Sequence, residues 1–177
     1  MTTVAVTIRQ ARLVDAASLA RLGARLFTET YGPTHPEPEL GPYLARAFGE
    51  ETVRRALARP DTRLLLADDA SGGAVGYAWL QEVDPADATP RPPGRGLEIQ
   101  RFYVDRHWHG RGVARALMAE CRREAGRRGA GYLWLQVWQQ APWAIRFYEK
   151  EGFRIAGRTI FPWGERQDED WVMVAEL

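Results

Sequence analysis

The segment best suited to chemistry is His109-Gly110-Arg111-Gly112-Val113-Ala114. Its glycines fall where an apolar strand pattern ends and a helical stripe of Val113, Leu117 and Cys121 begins. A glycine-rich strand-to-helix turn lets the main chain approach a ligand closely. The first free amides of the helix then point outward with the positive end of its dipole, an arrangement that suits a pyrophosphate. Arg115 replaces the third glycine of a dinucleotide-binding turn, and no Lys-Ser/Thr pair follows as in a nucleoside triphosphate loop. Neither of those ligands is indicated. Cys121, the single cysteine, repeats at helical spacing with Val113 and Leu117 and reads as a packing residue, which argues against an acyl-cysteine route. His107 and His109 lie two residues apart with His35 remote, and nothing nearby completes a ligand set, so no metal is expected.

These residues need a scaffold, and the chain is long enough for one. Its 177 residues fit one domain over 1–177, and 45% hydrophobic with 27% charged residues is an ordinary globular composition. A net charge of +1 supplies no general field for nucleic acid or an anionic membrane, so neither is expected as a partner. No apolar run approaches a membrane span, and Met1 to Arg12 lacks a basic-then-apolar leader, so a soluble cytoplasmic protein is expected.

Val4, Val6 and Ile8 alternate as a first strand, after which Asp15 can cap a helix carrying Leu19, Leu22 and Leu26. Glycines and prolines from Tyr31 to Pro42 predict a loop. A helical stretch from about Tyr43 to Arg59 follows, open to division at Gly49. Leu64 to Ala67 and Val75 to Leu80 read as a hairpin around Asp69 to Gly73, and Asp84 to Gly96 as a proline-rich crossing loop. Then come a strand from Leu97 to Val104, a helix from about Gly112 to Arg128 and a strand from Tyr132 to Trp138. A short helix from Pro142 to Glu151 is closed by Gly152. Two last strands, Phe153 to Phe161 and Trp171 to Leu177, flank a polar loop. About seven strands and four helices make an α/β (α+β) fold on one mixed sheet.

With Gly112 and Ala114 in the small-residue positions, the turn resembles the acyl-CoA loop of the GNAT family of N-acetyltransferases, a Gln/Arg-x-x-Gly-x-Gly/Ala pattern. The likeness departs at His109, where the family has Gln or Arg. Leu97 to Val104 resembles the family's fourth strand, and Leu135-Gln136-Val137 with Ala144 to Phe153 resembles its second conserved block, with Ala141 where that block has Asn. Phe27 to Gly32, Gly76-Tyr77 and Asp170 to Met173 are further similar to the bacterial spermine/spermidine acetyltransferase branch. The resemblance implies a mostly antiparallel sheet splayed between strands four and five, with acetyl-CoA as co-substrate. The pantetheine arm would pair with the main chain of Phe102, Tyr103 and Val104. The diphosphate would lie on His109, Gly110, Arg111, Gly112, Val113, Ala114 and Arg115, and position 141 would sit beside the arm.

The same resemblance implies direct attack by an amine, with Tyr148 as proton donor to the leaving thiolate and Glu98 as the base, acting through water. A phenol stays protonated at neutral pH, and an alkylamine, with a pKa of about 10.4, must lose a proton before it attacks. An acceptor would enter between Phe27 to Pro42 and Phe161 to Glu169. Glu29, Glu37, Glu39, Glu165, Asp168 and Glu169 could attract a cation there, and Phe27, Tyr31 or Trp163 could contact it. The expected partner is a small-molecule amine, polyamine-like or other; a homodimer stays open. The rival functions are a non-catalytic acyl-CoA-binding or sensing module and a protein N-terminal or lysine acetyltransferase.

Overall fold

Hydrophobic periodicity and glycine punctuation carry most of the architecture. The computed structural model describes residues 6–35, 37–86, 88 and 90–177. The chain runs β1 (Thr7–Gln10), α1 (Ala16–Tyr31), α2 (Leu40–Phe48), α3 (Glu50–Ala58), β2 (Thr62–Asp68), β3 (Ala74–Glu82) and β4 (Gly96–Val104). It continues through α4 (Val113–Arg127), β5 (Tyr132–Trp138), α5 (Pro142–Lys150), β6 (Arg154–Trp163) and β7 (Arg166–Glu176). The seven strands are hydrogen-bonded in the order β1-β2-β3-β4-β5-β7-β6. β4 and β5 are parallel, while β1/β2, β5/β7 and β6/β7 are antiparallel, so the sheet is mixed as expected.

Several expectations shift in detail. Val4 lies outside the described residues. Asp15 does not cap α1 through its side chain; its carboxylate accepts from Arg12 N at 2.7 Å and from Arg9 Nη1 at 2.9 Å, because a 3₁₀ turn at Leu13–Asp15 precedes the helix. Gly49, at φ −58° and ψ 142°, leaves helical geometry and divides the second helical stretch into α2 and α3. The polar loop expected before the last strand is instead strand. β6 and β7 pair from Arg154↔Val174 to Trp163↔Arg166, leaving only Gly164 and Glu165 to turn. Gly164 supplies the positive φ, 56°, that so tight a turn requires.

The chain divides into two compact units. The first holds residues up to Trp79 together with Arg101–Leu117; the second holds Leu80–Gln100 and Met118–Leu177. In the first unit α1 packs on α2 and α3 and buries Leu19, Leu22 and Leu26, each worth roughly 1.5–3 kcal/mol of transfer free energy. In the second unit Tyr132, Trp134, Ala156, Val172 and Val174 form one cluster with Ala88 against it. Leu133, Leu135 and Met173, of opposite parity on the same strands, are also fully buried. The β4–β5 register covers Gly96↔Tyr132, Leu97↔Leu133 and Glu98↔Trp134, while β5 continues against β7 to Trp138↔Asp170.

Candidate active site

The glycine turn lies in the first unit and is held from its upstream side. Asp105 ends β4: its N–H donates to Val75 O at 2.8 Å, and its carboxylate accepts from His107 N at 3.0 Å, His107 Nδ1 at 2.9 Å and Arg25 Nη1 at 2.9 Å. Burial disfavours the Asp105 carboxylate, but these donors outweigh it and hold the group at about 2. His109 Nε2 donates to Val104 O at 2.9 Å, tying the turn to the strand end. The histidine that replaces the family's Gln or Arg is thus engaged with main chain.

Gly110 and Gly112 take φ of +74° and +83°, and a Cβ on either would meet no heavy atom within 4 Å. The space in front of both is open, so these glycines serve conformation rather than close packing. The Ala116 N–H donates to Gly112 O at 3.0 Å as the first helical bond. The amides of Val113, Ala114 and Arg115 therefore precede any helical acceptor. Arg111 and Arg115 are exposed beside them, with the Arg111 guanidinium 5.4 Å from the Trp108 ring. Open space, free amides, the dipole's positive end and two arginines fit a diphosphate.

Phe27 and Tyr31, expected at the acceptor, fall in an aromatic group of the same unit. Phe27 is buried, with ring centroids 4.9 Å from Tyr31, 4.9 Å from Tyr43 and 5.5 Å from Phe48; Tyr31 is half-buried at the rim. Glu29 pairs with Arg25 at 3.0 Å, and Glu37 accepts from Gly41 N at 3.3 Å.

In the second unit Glu98 is half-buried on β4, and burial pushes its carboxyl up to about 7. Tyr148 is buried on α5 with its ring 5.4 Å from Phe147 and 5.7 Å from Phe153. Ala141 is fully buried, and α5 begins without a side-chain cap, as expected from the absent Asn. The Ala141 N–H donates to Trp138 O, and its carbonyl accepts from Ala144 and Ile145, so its own polar groups are occupied. Trp163 is buried, and Asp168 accepts from Arg166 at 2.8 Å; both lie on paired strands rather than in the loop that the sequence suggested.

Two residues of note escaped the sequence reading. Asp170 is buried on β7, and burial with the nearby Asp168 charge pushes its carboxyl up to about 7. Arg101 on β4 is half-buried between aromatic rings. Both fall in stretches that carry the family likeness, Asp170 in Asp170 to Met173 and Arg101 in Leu97 to Val104, but nothing in the spacing marks either one as buried. Among the described residues no group of three His, Cys, Asp or Glu side chains could hold a metal, and no helix is long and apolar enough to cross a membrane.

A family model described as acetyltransferase (GNAT) family matches residues 24–153. An uncharacterized N-acetyltransferase of Mycobacterium tuberculosis is 32% identical over 165 residues, spanning 93% of this chain and 99% of that one. Another, from Lactobacillus delbrueckii subsp. lactis, is 26% identical over 173 residues, 97% of this chain and 98% of that one. In fold, the chain is similar to the PaiA N-acetyltransferase from Thermoplasma acidophilum in complex with coenzyme A. The TM-score is 0.78 at 18% identity, covering 98% and 99% of the two chains.

Proposed function

The chain belongs to the GNAT family and is an N-acetyltransferase, and we propose that its acceptor is the primary amine of a small molecule, polyamine-like or other, acetylated by direct attack. In this reading residues 1–177 act as one acetyltransferase domain in the cytoplasm. Acetyl-CoA supplies the acetyl group as a thioester and leaves as the free thiol. The turn from His109 to Arg115 carries the proposal. Its positive-φ glycines and helix-start amides offer hydrogen-bond donors to a diphosphate without needing particular side chains, so His109 is tolerated in place of Gln or Arg.

Glu98 takes the proton that the ammonium form of the acceptor must lose. A carboxyl near 7 is a stronger base than an ordinary glutamate and is still largely ionised just above neutrality. Tyr148 gives its phenolic proton to the departing thiolate, whose basicity is comparable. Main-chain amides in the Phe102 to Val104 stretch polarise the carbonyl being attacked. A thiol-release screen with acetyl-CoA across polyamines, amino acids and aminoglycosides tests the proposal. The expected result is release with one acceptor class, matched by an N-acetylated product. Coenzyme binding with no release from any amine overturns it.

A further inference from the structure

Buried donors in folded proteins nearly always meet acceptors, and each exception asks for an explanation. The first unit contains three. Arg101 Nη1, Trp79 Nε1 and Tyr77 Oη are shut off from solvent, and none has a hydrogen-bond partner among the described residues. They sit on the neighbouring strands β3 and β4 within one aromatic nest. The Arg101 guanidinium lies 4.4 Å from the Phe48 ring centroid and 4.3 Å from that of Trp79, and Tyr77 stacks on Tyr103 at 5.7 Å. A Cβ on Gly23 would meet both the Phe48 ring, at 2.6 Å, and Tyr77 Oη, at 3.1 Å, so the hydroxyl lies beside the ring that covers Arg101. Burial raises the pKa of the Tyr77 and Tyr103 hydroxyls while the Arg101 charge opposes the rise, so both stay protonated beside a cation.

Several partly buried arginines of the chain have carboxylate partners: Arg9 with Asp15 and Asp68, Arg25 with Asp105, Arg128 with Glu124. Among the described residues none answers Arg101. Rings on two sides fix the guanidinium and leave its edge as the direction for hydrogen bonds. The side chain is half-buried, and Nη1 alone among its nitrogens is both sealed and unpartnered, which leaves Nε and Nη2 as the edge on which a ligand would act. A guanidinium clamped in this way is already oriented for a planar two-oxygen anion, to which it can give two parallel N–H bonds. A polyamine offers it only positive charge.

We propose that Arg101, held between Phe48 and Trp79, binds a carboxylate of the acceptor, so that the acceptor is an amine that also carries a carboxylate. This rests on the N-acetyltransferase reading and narrows its substrate class. The test uses binding rather than turnover, so that failure of acetyl transfer and failure of this assignment read differently. The 177-residue protein saturated with coenzyme A is titrated calorimetrically with the α-amino acids and with ω-amino acids from β-alanine to 6-aminohexanoate. Each is compared with its amide and its decarboxylated amine. At least one acid is expected to bind about tenfold more tightly than its amide. Arg101→Met, which keeps the stem between the rings, should remove that preference and shift the amide by less than about twofold. Arg101→Lys, which keeps the charge and loses the fork, should restore part of it. The melting temperature and coenzyme affinity of each variant separate recognition from packing. Equal binding of acids and amides, no binding of any acid, or equal loss for acid and amide in the variants overturns the assignment.

Discussion

Glu98 stands opposite Trp134 at the last position of the parallel β4–β5 register, and the Trp134 indole is itself fixed by donation from Nε1 to Val83 O at 2.6 Å. Register neighbours share a sheet face, so an anchored indole occupies space that water would otherwise take beside the carboxyl. Burial is the cause of the upward shift of Glu98. Burial therefore turns an ordinary strand glutamate into a group able to exchange protons near neutrality.

That shift has two measurable consequences. The kcat/KM profile should show an acidic limb with an apparent pKa near 7, which Glu98→Gln removes along with roughly 10²-fold or more of the rate. Stability should move the other way. Glu98 and Asp170 both stand near 7 in the folded chain, against ordinary values of 4.5 and 3.8. Between those limits the folded state keeps protons that the unfolded state has released. Stability is therefore greatest below the unfolded values and falls as pH rises through about 7. Melting curves from pH 5 to 8.5 should show a loss on the order of 1–3 kcal/mol for Glu98, and both Glu98→Gln and Asp170→Asn should flatten the trend. A flat wild-type curve would contradict the burial argument.

Tyr148→Phe separates chemistry from packing, because the ring contacts with Phe147 and Phe153 survive the change. We expect kcat to fall about 10²–10⁴-fold, with coenzyme affinity within about twofold of wild type. Equal losses in both quantities would assign the residue to packing.

Gly112 and Gly126 give a paired test of the turn. Neither glycine would crowd a Cβ, but only Gly112 holds a positive φ, whereas Gly126 lies inside α4. Gly112→Ala should cost about 1 kcal/mol or more and weaken coenzyme binding several-fold, because alanine resists that backbone conformation. Gly126→Ala should stabilise by about 0.5–1 kcal/mol and leave binding unchanged. Thermal melts and coenzyme titrations read both outcomes.

Cys121 is fully buried, and burial pushes its thiol pKa upward. An aromatic disulfide reagent should find no thiol in the native protein and one after denaturation, with activity unaffected by the native-state treatment. Rapid native labelling with loss of activity would reopen an acyl-cysteine route.

The sequence by itself determined the strand-and-helix order, the helix division at Gly49, the His109 to Arg115 turn, the absent side-chain cap at Ala141 and the family likeness. Each is a local signal: periodicity, a breaker residue or a motif read within a few positions. The tertiary structure alone decided that Trp163 and Asp168 lie on a paired hairpin, that Glu98 and Asp170 are desolvated, and that Arg101 lies between rings. Phe48 stands far from Arg101 along the chain, as Val83 does from Trp134. Desolvation and ring stacking depend on which distant atoms displace water around a charge, and spacing along the chain does not encode that.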